Sequence, residues 1–231
     1  MKGGQSGFTL VEIAIVLVII GLLIGGVLKG QEMITQGRIK SAIIDFSGIS
    51  AAYYAYIDRY KALPGDDSQA TARWGAAILP NNAVGNGDGV ISGPYYQTAV
   101  GTGATNETAD FWSHLRAAGL VTGNSLANPV TLPINSSGGI IGVQTGNGAA
   151  APGEVLLTAG AGTGLIGFMI CSTRLPDRVA AAVDVQLDNG SPNSGSIRAW
   201  QSGGAQDPVP AAPAGPPYSD NGTAMSICRA L

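Results

Sequence analysis

The ionisable residue with the most unusual surroundings is Glu12, which lies inside an apolar run from Phe8 to Leu28. An acidic side chain at the centre of a membrane span costs roughly 2.5 to 3.5 kcal/mol, and less near one end, so a carboxylate placed there needs a positively charged partner. Cleavage between Gly7 and Phe8 would supply one, because the new amino group of Phe8 would lie at the same depth, in the same chain or in a neighbour. These residues predict that the amino group of Phe8 pairs with Glu12, and that this charge pair guides the docking of the chain.

A second group of residues offers metal-binding chemistry. Asp66, Asn86 and Asp88 carry the oxygen ligands that calcium prefers, and they lie in glycine-rich segments. An EF-hand loop is excluded, because reading Asp88 as its fifth position would place Tyr95 at the twelfth, where a glutamate is required. Asn-Gly and Asp-Gly pairs are also strong turn formers, so a plain turn is the alternative. Calcium is therefore a hypothesis for this segment, and no other cofactor is expected.

The two cysteines, Cys171 and Cys228, follow an export-type hydrophobic segment, so an oxidising compartment and a disulfide are expected. Closing a loop of about 60 residues would stabilise the fold by about 4 kcal/mol in the chain-entropy model. The alternative is a pair of free buried thiols.

Catalytic chemistry has little support in the sequence. His114 is the only histidine, and beside Trp112 on a short helix it is expected to be a half-buried surface residue rather than a base or a metal ligand. The sequence contains no nucleophile elbow, phosphate-binding loop, dinucleotide fingerprint or metal-binding histidine pair. We therefore expect that the protein is not an enzyme.

The charge balance argues against nucleic acid as a partner. Lysine and arginine number 12 and aspartate and glutamate 15, which gives a formal charge of -3 without any run of like charges. Charged residues make up 12% of the chain, about half of the usual share. We expect a surface of small, mostly uncharged residues and no basic patch that could follow a phosphate backbone.

The apolar run that holds Glu12 has the length of one membrane crossing. As a helix, residues 8–28 would extend for about 31 Å. The apolar core of an ordinary signal peptide is only about 7 to 15 residues long, so removal of the whole run is not expected. The short polar leader before Phe8 contains a single lysine, Lys2, and a cleavage point in front of the span fits this arrangement.

Apolar residues continue after the span at steps of three and four, which is the spacing of one helix face. No proline interrupts the chain before Pro64, so the span and this amphipathic segment are predicted to form one continuous helix about 80 Å long. The second half is expected to pack on a head domain. The residues of the stripe are Ile39, Ile43, Phe46, Ile49, Tyr53, Tyr56 and Tyr60.

The segment from Gly7 to Glu12, Gly-Phe-Thr-Leu-Val-Glu, followed by the apolar run, resembles the processing site of type IV prepilins and type II secretion pseudopilins. The resemblance implies that a prepilin peptidase cuts after Gly7 and methylates the amine of Phe8. It also implies that Glu12 neutralises the N-terminus of a neighbouring subunit during assembly. A plain signal anchor, in which Glu12 is a tolerated polar residue, is the alternative. Many major pilins carry a proline where this chain has Lys29, and that departure favours a pseudopilin or minor pilin.

The expected domain organisation has four segments. Residues 1–7 are a leader peptide removed on maturation, residues 8–28 a transmembrane helix and assembly segment, and residues 29–60 its amphipathic continuation. Residues 61–231 form a globular pilin-like head with a C-terminal disulfide loop. The fold class is α+β, with a long N-terminal helix packed on a small antiparallel sheet with long glycine-rich loops.

Within the head, two short helices and two strands are predicted. One helix runs near Glu107 to Ala118, with Phe111 and Leu115 facing the core, and the other runs from Asp177 to Asn189. Alternation of apolar residues in the second helix also fits a strand, and we favour the helix. Strands are predicted for residues 155–158 and 165–171, which glycines bound.

The leading functional hypothesis is a structural subunit of a type IV pilus or a type II secretion pseudopilus. The resemblance implies an inner-membrane protein that crosses once, has its head in the periplasm and then enters a periplasmic or cell-surface filament. Its partners would be identical or related pilin subunits, prepilin peptidase, the inner-membrane assembly machinery and membrane lipid. The alternative is a membrane-tethered, calcium-dependent binding module or adhesin that presents the Asp88 region. The sequence does not distinguish pilus from pseudopilus, or a major from a minor subunit.

Overall fold

The computed structural model describes residues 9–80, 83–101, 106–147, 165–202 and 218–231. The chain divides into two compact units, Met1–Arg38 and Ile39–Leu231. The described elements are, in chain order, α1 (Leu10–Tyr60), α2 (Ala70–Trp74), α3 (Glu107–Ala117), β1 (Ile141–Asn147), β2 (Ile166–Pro176), α4 (Asp177–Leu187), β3 (Ile197–Gln201) and β4 (Ala224–Ala230).

Helix α1 is continuous over 51 residues, as the apolar run and the stripe that follows it predict. Its sequence contains no proline, so no backbone hydrogen bond is lost along it. The helix ends at Tyr60 because Lys61 adopts a left-handed conformation, with φ of 54°, and donates its N–H to the carbonyl of Ile57. An 18-residue window of α1 has a mean hydropathy of 2.9, which makes it long and apolar enough to cross a membrane.

The predicted stripe on α1 faces the core of the second unit. Ile39, Phe46, Ile49 and Tyr56 are buried, and the remaining members of the stripe are partly buried against the same core. Tyr53 stacks on Phe168 of β2, with 4.0 Å between the ring centroids. The prediction that this half of the helix packs on the head is confirmed.

The sheet is antiparallel and has the strand order β1-β2-β4-β3. The two central strands carry the cysteines, and Cys171 of β2 is paired directly with Cys228 of β4. The predicted disulfide is formed between them. The α+β fold class, with a long helix on a small antiparallel sheet, is confirmed.

The short elements agree in part with the predictions. Helices α3 and α4 are present, so the alternative of a strand within α4 is wrong. The predicted strand at residues 165–171 is present as β2, which begins at Ile166 and continues to Pro176. Residues 155–158 lie outside the described part of the chain. Strands β1, β3 and β4 were not predicted.

Candidate functional site

The first turn of α1 places Glu12 in a capping box with Thr9. The backbone N and Oγ1 of Thr9 donate to Oε2 of Glu12, at 2.9 and 2.8 Å, and the backbone N of Glu12 donates to Oγ1 of Thr9 at 3.3 Å. Because α1 begins at Leu10, Thr9 is the N-cap and Glu12 the third helical residue, which is the reciprocal arrangement of a capping box. The carboxylate is therefore held at the helix N-terminus. Sequence reasoning missed the role of Thr9, although the Thr-x-x-Glu spacing signals it.

The charge of Glu12 has no basic partner among the residues that the structure describes. The described ion pairs involve Lys29, Lys61 and Arg73, and none of them contacts Glu12. The neighbouring side chains of Leu10 and Val11 are 90% and 67% exposed and apolar. A carboxylate among these apolar residues inside a membrane would require a cation, and the described residues do not provide one.

The other two predicted processing residues, Gly7 and Phe8, lie outside the described residues. The described chain nevertheless fixes their position in the sequence relative to the helix. The Gly7–Phe8 bond precedes the N-cap residue Thr9, so it lies before the first helical residue, Leu10. Cleavage at this bond would leave the capping box intact.

The apolar half of α1 has no cover of its own. In the described stretch from Leu10 to Arg38, no residue is buried, and most of its large apolar side chains are more than half exposed. An apolar surface of this size requires lipid or other protein, because water does not solvate it favourably. Glu12 lies at the N-terminal end of this exposed apolar surface.

A second candidate site brings three carboxylates together in the head. Ligand atoms of Asp66, Asp88 and Glu107 all lie within 4.8 Å of one another. The side chain of Asn86, the third predicted ligand, lies beside this group, since its Nδ2 donates to Oδ2 of Asp88 at 2.7 Å. Glu107 was not predicted as a ligand, because it opens α3 and lies far from Asp88 in the sequence.

The carboxylates of this group already accept backbone hydrogen bonds. Asp66 accepts from Gly87 at 2.6 Å, Asp88 at 3.1 Å and Gly89 at 2.8 Å. Glu107 accepts from the backbone N of Asn86 at 3.1 Å and from that of Ser92 at 2.9 Å. The buried acids therefore hold residues 86–92 as an ordered turn. A calcium ion would have to compete with these hydrogen bonds or add to them.

A buried aspartate also accepts backbone hydrogen bonds at two other Asn-Gly turns. Gly190 N donates to Oδ1 of Asp184 at 3.0 Å. Asp177 accepts from the backbone N of Asn221 at 2.7 Å and from that of Gly222 at 3.3 Å. Asp177 and Asp184 are buried like Asp66. Buried aspartates thus act as acceptors for glycine turns at three places in the head, which is a structural use of these carboxylates.

His114 is fully buried, so the expectation of a half-buried surface residue is wrong. Its Nδ1 accepts from Gly65 N at 2.9 Å, and Nε2 lies 3.0 Å from the carbonyl oxygen of Ala83. Burial lowers the pKa of His114 to about 4, so the ring is neutral at neutral pH and Nε2 carries the proton that Ala83 accepts. The ring joins two loop segments to α3. Its burial depends on loops that are distant in sequence, and sequence reasoning had no signal for that.

Comparison with known families identifies the N-terminal segment. Residues 2–28 match the family described as prokaryotic N-terminal methylation motif, which is the signature of type IV pilins and pseudopilins. The matched range contains Gly7, Phe8 and Glu12. The match is to the N-terminal segment alone, 27 of the 231 residues, and it supports the resemblance of that segment to the processing site of type IV prepilins and pseudopilins. Searches of curated proteins and of solved structures find no match for it.

Proposed function

We propose that the protein is a structural subunit of a type IV pilus or type II secretion pseudopilus, and that its function is polymerisation rather than catalysis. The observation that carries this proposal is the methylation motif at residues 2–28, whose helical part belongs to an apolar surface that the described residues leave uncovered. A filament of identical helices would cover that surface. In this function, the head, with Ile39 and later residues, forms the outer surface of the filament.

The membrane stage comes first. The apolar half of α1 is inserted in the inner membrane with the head in the periplasm, and prepilin peptidase cuts the Gly7–Phe8 bond and methylates the new amine. The capping box supports this order, because it places the scissile bond ahead of the helix, where no helical hydrogen bond has to be broken. The membrane lipid covers the apolar side chains until a subunit leaves the bilayer.

Charge pairing then guides assembly. The amine of Phe8 is a cation and Glu12 an anion, and Glu12 has no basic partner among the described residues. In an apolar bundle, the attraction between the amine of one subunit and Glu12 of its neighbour is stronger than in water. A subunit placed out of register would leave both charges buried and unpaired, which is costly. The charge pair therefore determines the register in which the helix of one subunit docks on that of its neighbour.

The test is assembly of a variant without the charge. The full-length chain is expressed with a prepilin peptidase and an assembly system, and sheared filaments are analysed by mass spectrometry. We expect a mature N-terminus at Phe8, N-methylation of that residue, and little or no filament from the Glu12→Gln variant. The matched control is Glu32→Gln, which removes an exposed glutamate of the same helix that pairs with Lys29. Filaments from Glu12→Gln at the wild-type level, or a functional protein that keeps residues 1–7, would refute the proposal.

A second candidate function is a membrane-tethered, calcium-dependent binding module or adhesin. The observation in its favour is the grouping of Asp66, Asp88 and Glu107, whose oxygen atoms lie close enough to share one cation. Asp88 is exposed, so a ligand could reach an ion held there. The test compares the melting temperature of the full-length chain in non-ionic detergent with calcium and with a chelator. A calcium-dependent increase that Asp88→Ala abolishes favours this candidate, and an unchanged melting temperature excludes it.

A further inference from the structure

A cavity of about 530 Å³ lies between the end of α3 and the segment from Val121 to Ile134. Its volume is in the range of small-molecule sites. Much of its wall is apolar, with Val121, Ala127, Leu132 and Pro133 among the lining residues. The lining also includes Arg116 from the last turn of α3, and this is the only charged residue among the described residues that surround the cavity.

The guanidinium of Arg116 is held in a fixed position by two loop carbonyls. Nη2 donates to the carbonyl oxygen of Thr131 at 2.5 Å, and Nε donates to that of Thr122 at 3.4 Å. Gly123 lies directly against the group, since a Cβ atom there would be 2.5 Å from Nε. The backbone of Gly123 also has φ of +130°, which favours glycine. The guanidinium group is therefore positioned before any ligand binds. The close approach of the backbone at residue 123 requires glycine there.

Among the described residues, no acidic side chain forms an ion pair with Arg116. Both described hydrogen-bond acceptors are neutral carbonyls, and Nη1 is buried without a hydrogen-bond partner among the described residues. A partly desolvated cation without a counter-ion is costly, and a buried charged nitrogen without an acceptor is rare in folded proteins. An anion bound beside the guanidinium in the cavity would compensate its charge. Burial lowers the pKa of Arg116, which is consistent with this unfavourable environment.

We propose that this cavity is a binding site for an organic carboxylate with an apolar body, for which isovalerate is a small probe. The carboxylate would pair with Arg116, and the apolar body would lie against Val121, Leu132 and Pro133. A single guanidinium matches a single negative charge, and its planar group matches a planar carboxylate. Phosphate is disfavoured, because the described lining offers no second cation for its second charge. The proposal does not depend on the filament function.

The test is a titration of the full-length chain, in non-ionic detergent, with sodium isovalerate. Isothermal titration calorimetry or amide shifts of residues 121–134 report binding. We expect saturable binding of isovalerate, and no saturation with isovaleramide, which has the same shape without the charge, or with inorganic phosphate. Absence of saturable isovalerate binding would overturn the proposal. Equal binding of isovaleramide, or tighter binding of phosphate, would also overturn it.

Two variants probe the two parts of the site. Arg116→Gln removes the charge, and we expect isovalerate to bind on the order of tenfold more weakly or not at all. Arg59→Gln is the control, because it removes an exposed arginine of α1 and should leave binding unchanged. If Arg116→Gln does not fold, Ala127→Trp serves instead, since a large side chain there fills the cavity and keeps Arg116. Wild-type affinity in Ala127→Trp would contradict the proposed location.

Discussion

At the residue scale, the capping box explains how one side chain serves two purposes. Oε2 of Glu12 accepts both donors of Thr9, and Oε1 makes no described hydrogen bond. The first oxygen therefore stabilises the helix start, while the second remains available for an amine. Thr9 fixes the direction in which the carboxylate is presented, and this makes it a positioning residue for the proposed charge pair.

We expect that Thr9→Val, which keeps the shape of the side chain and removes the hydroxyl, will loosen the first turn of α1. Loss of an N-cap corresponds to roughly fivefold faster local opening, so the amides of the first turn should exchange faster with solvent deuterium by about that factor. Thr9→Ser keeps the hydroxyl and should behave like the wild type. Unchanged exchange in Thr9→Val would show that the capping box does not form in the membrane-bound protein.

His114 makes a second prediction, about acid stability. Its pKa is about 4 in the folded protein and near 6.5 in the unfolded chain, so the unfolded chain binds the extra proton between these values. The stability that neutral His114 contributes is complete above about pH 6.5 and is lost as the pH falls to 4, by about 3 kcal/mol. The His114→Gln variant should lack this loss, as measured by denaturant unfolding between pH 4 and 7.

The comparison of variant with wild type is needed because Asp110 acts in the opposite direction. Burial raises the pKa of Asp110 to about 8, so this carboxyl favours the folded state while it is protonated and destabilises it as the pH rises. Below pH 6.5, the pH dependence that Asp110 gives to the free energy of unfolding offsets the pH dependence that His114 gives to it. A difference between wild type and His114→Gln that does not change with pH would contradict the histidine prediction.

At the element scale, the sequence predicts the three longer helices and one strand of four, and it does not predict the short helix α2. Helices α1 and α4 have apolar residues at helical spacing, and helix α3 has acidic residues in its first turn, so local pattern suffices for each of them. Strand β1 reads Ile-Gly-Val-Gln-Thr-Gly-Asn and has neither strict alternation nor a continuous apolar run. Gly142 of this strand is required because the carbonyl oxygen of Tyr95 lies where a Cβ would be. That contact depends on tertiary structure and leaves no local signal.

The candidate sites divide in the same way. Glu12 could be identified from the sequence, because a charged residue within an apolar run stands out without any knowledge of the tertiary structure. Glu107 and Asp110 were interpreted only as a favourable helix start, although both are fully buried. The burial of these two carboxyl groups depends on residues 86–92 and on Gly101, which contact α3. The sequence contains those loops only as turn formers, and turn propensity does not say which side chain a turn will contact.

The turn at residues 86–89 gives a prediction for this scale. Asp66→Ala removes the acceptor of three backbone N–H groups, and we expect a loss of about 2 to 4 kcal/mol in the free energy of unfolding. Chemical denaturation of the full-length chain in detergent measures it. Asp58→Ala is the control, because its carboxylate is 89% exposed and makes only a surface pair with Lys61. Equal stability of the two variants would show that the aspartate does not hold the turn.

At the scale of the whole molecule, the disulfide joins the two central strands and lies within a small second core. Cys171 and Cys228 are fully buried beside Tyr95, Met169 and Trp200. Their pairing closes a loop across a sequence separation of 57 residues. The loop contains α4, β3 and most of β4, so the cross-link restricts most of the C-terminal half of the head in the unfolded chain.

Removing this cross-link should destabilise the head substantially. For the double variant Cys171→Ala and Cys228→Ala, we expect a loss of about 4 kcal/mol in the free energy of unfolding, chiefly because the unfolded chain gains conformational freedom. Urea unfolding measures the loss, and the wild type unfolded under reducing conditions should show a similar decrease. A loss below about 1 kcal/mol would mean that the unfolded chain is already constrained without the bond.

The position of β4 has a consequence for biosynthesis. This strand lies between β2 and β3 in the sheet. Strand β3 therefore cannot join β1 and β2 until residues 224–230 have left the ribosome. Until then β3 lacks its partner strand, and the four-stranded sheet is incomplete. If the head is exported as an extended chain, as a pilin-type signal implies, this strand order keeps the sheet open until its last strand is available.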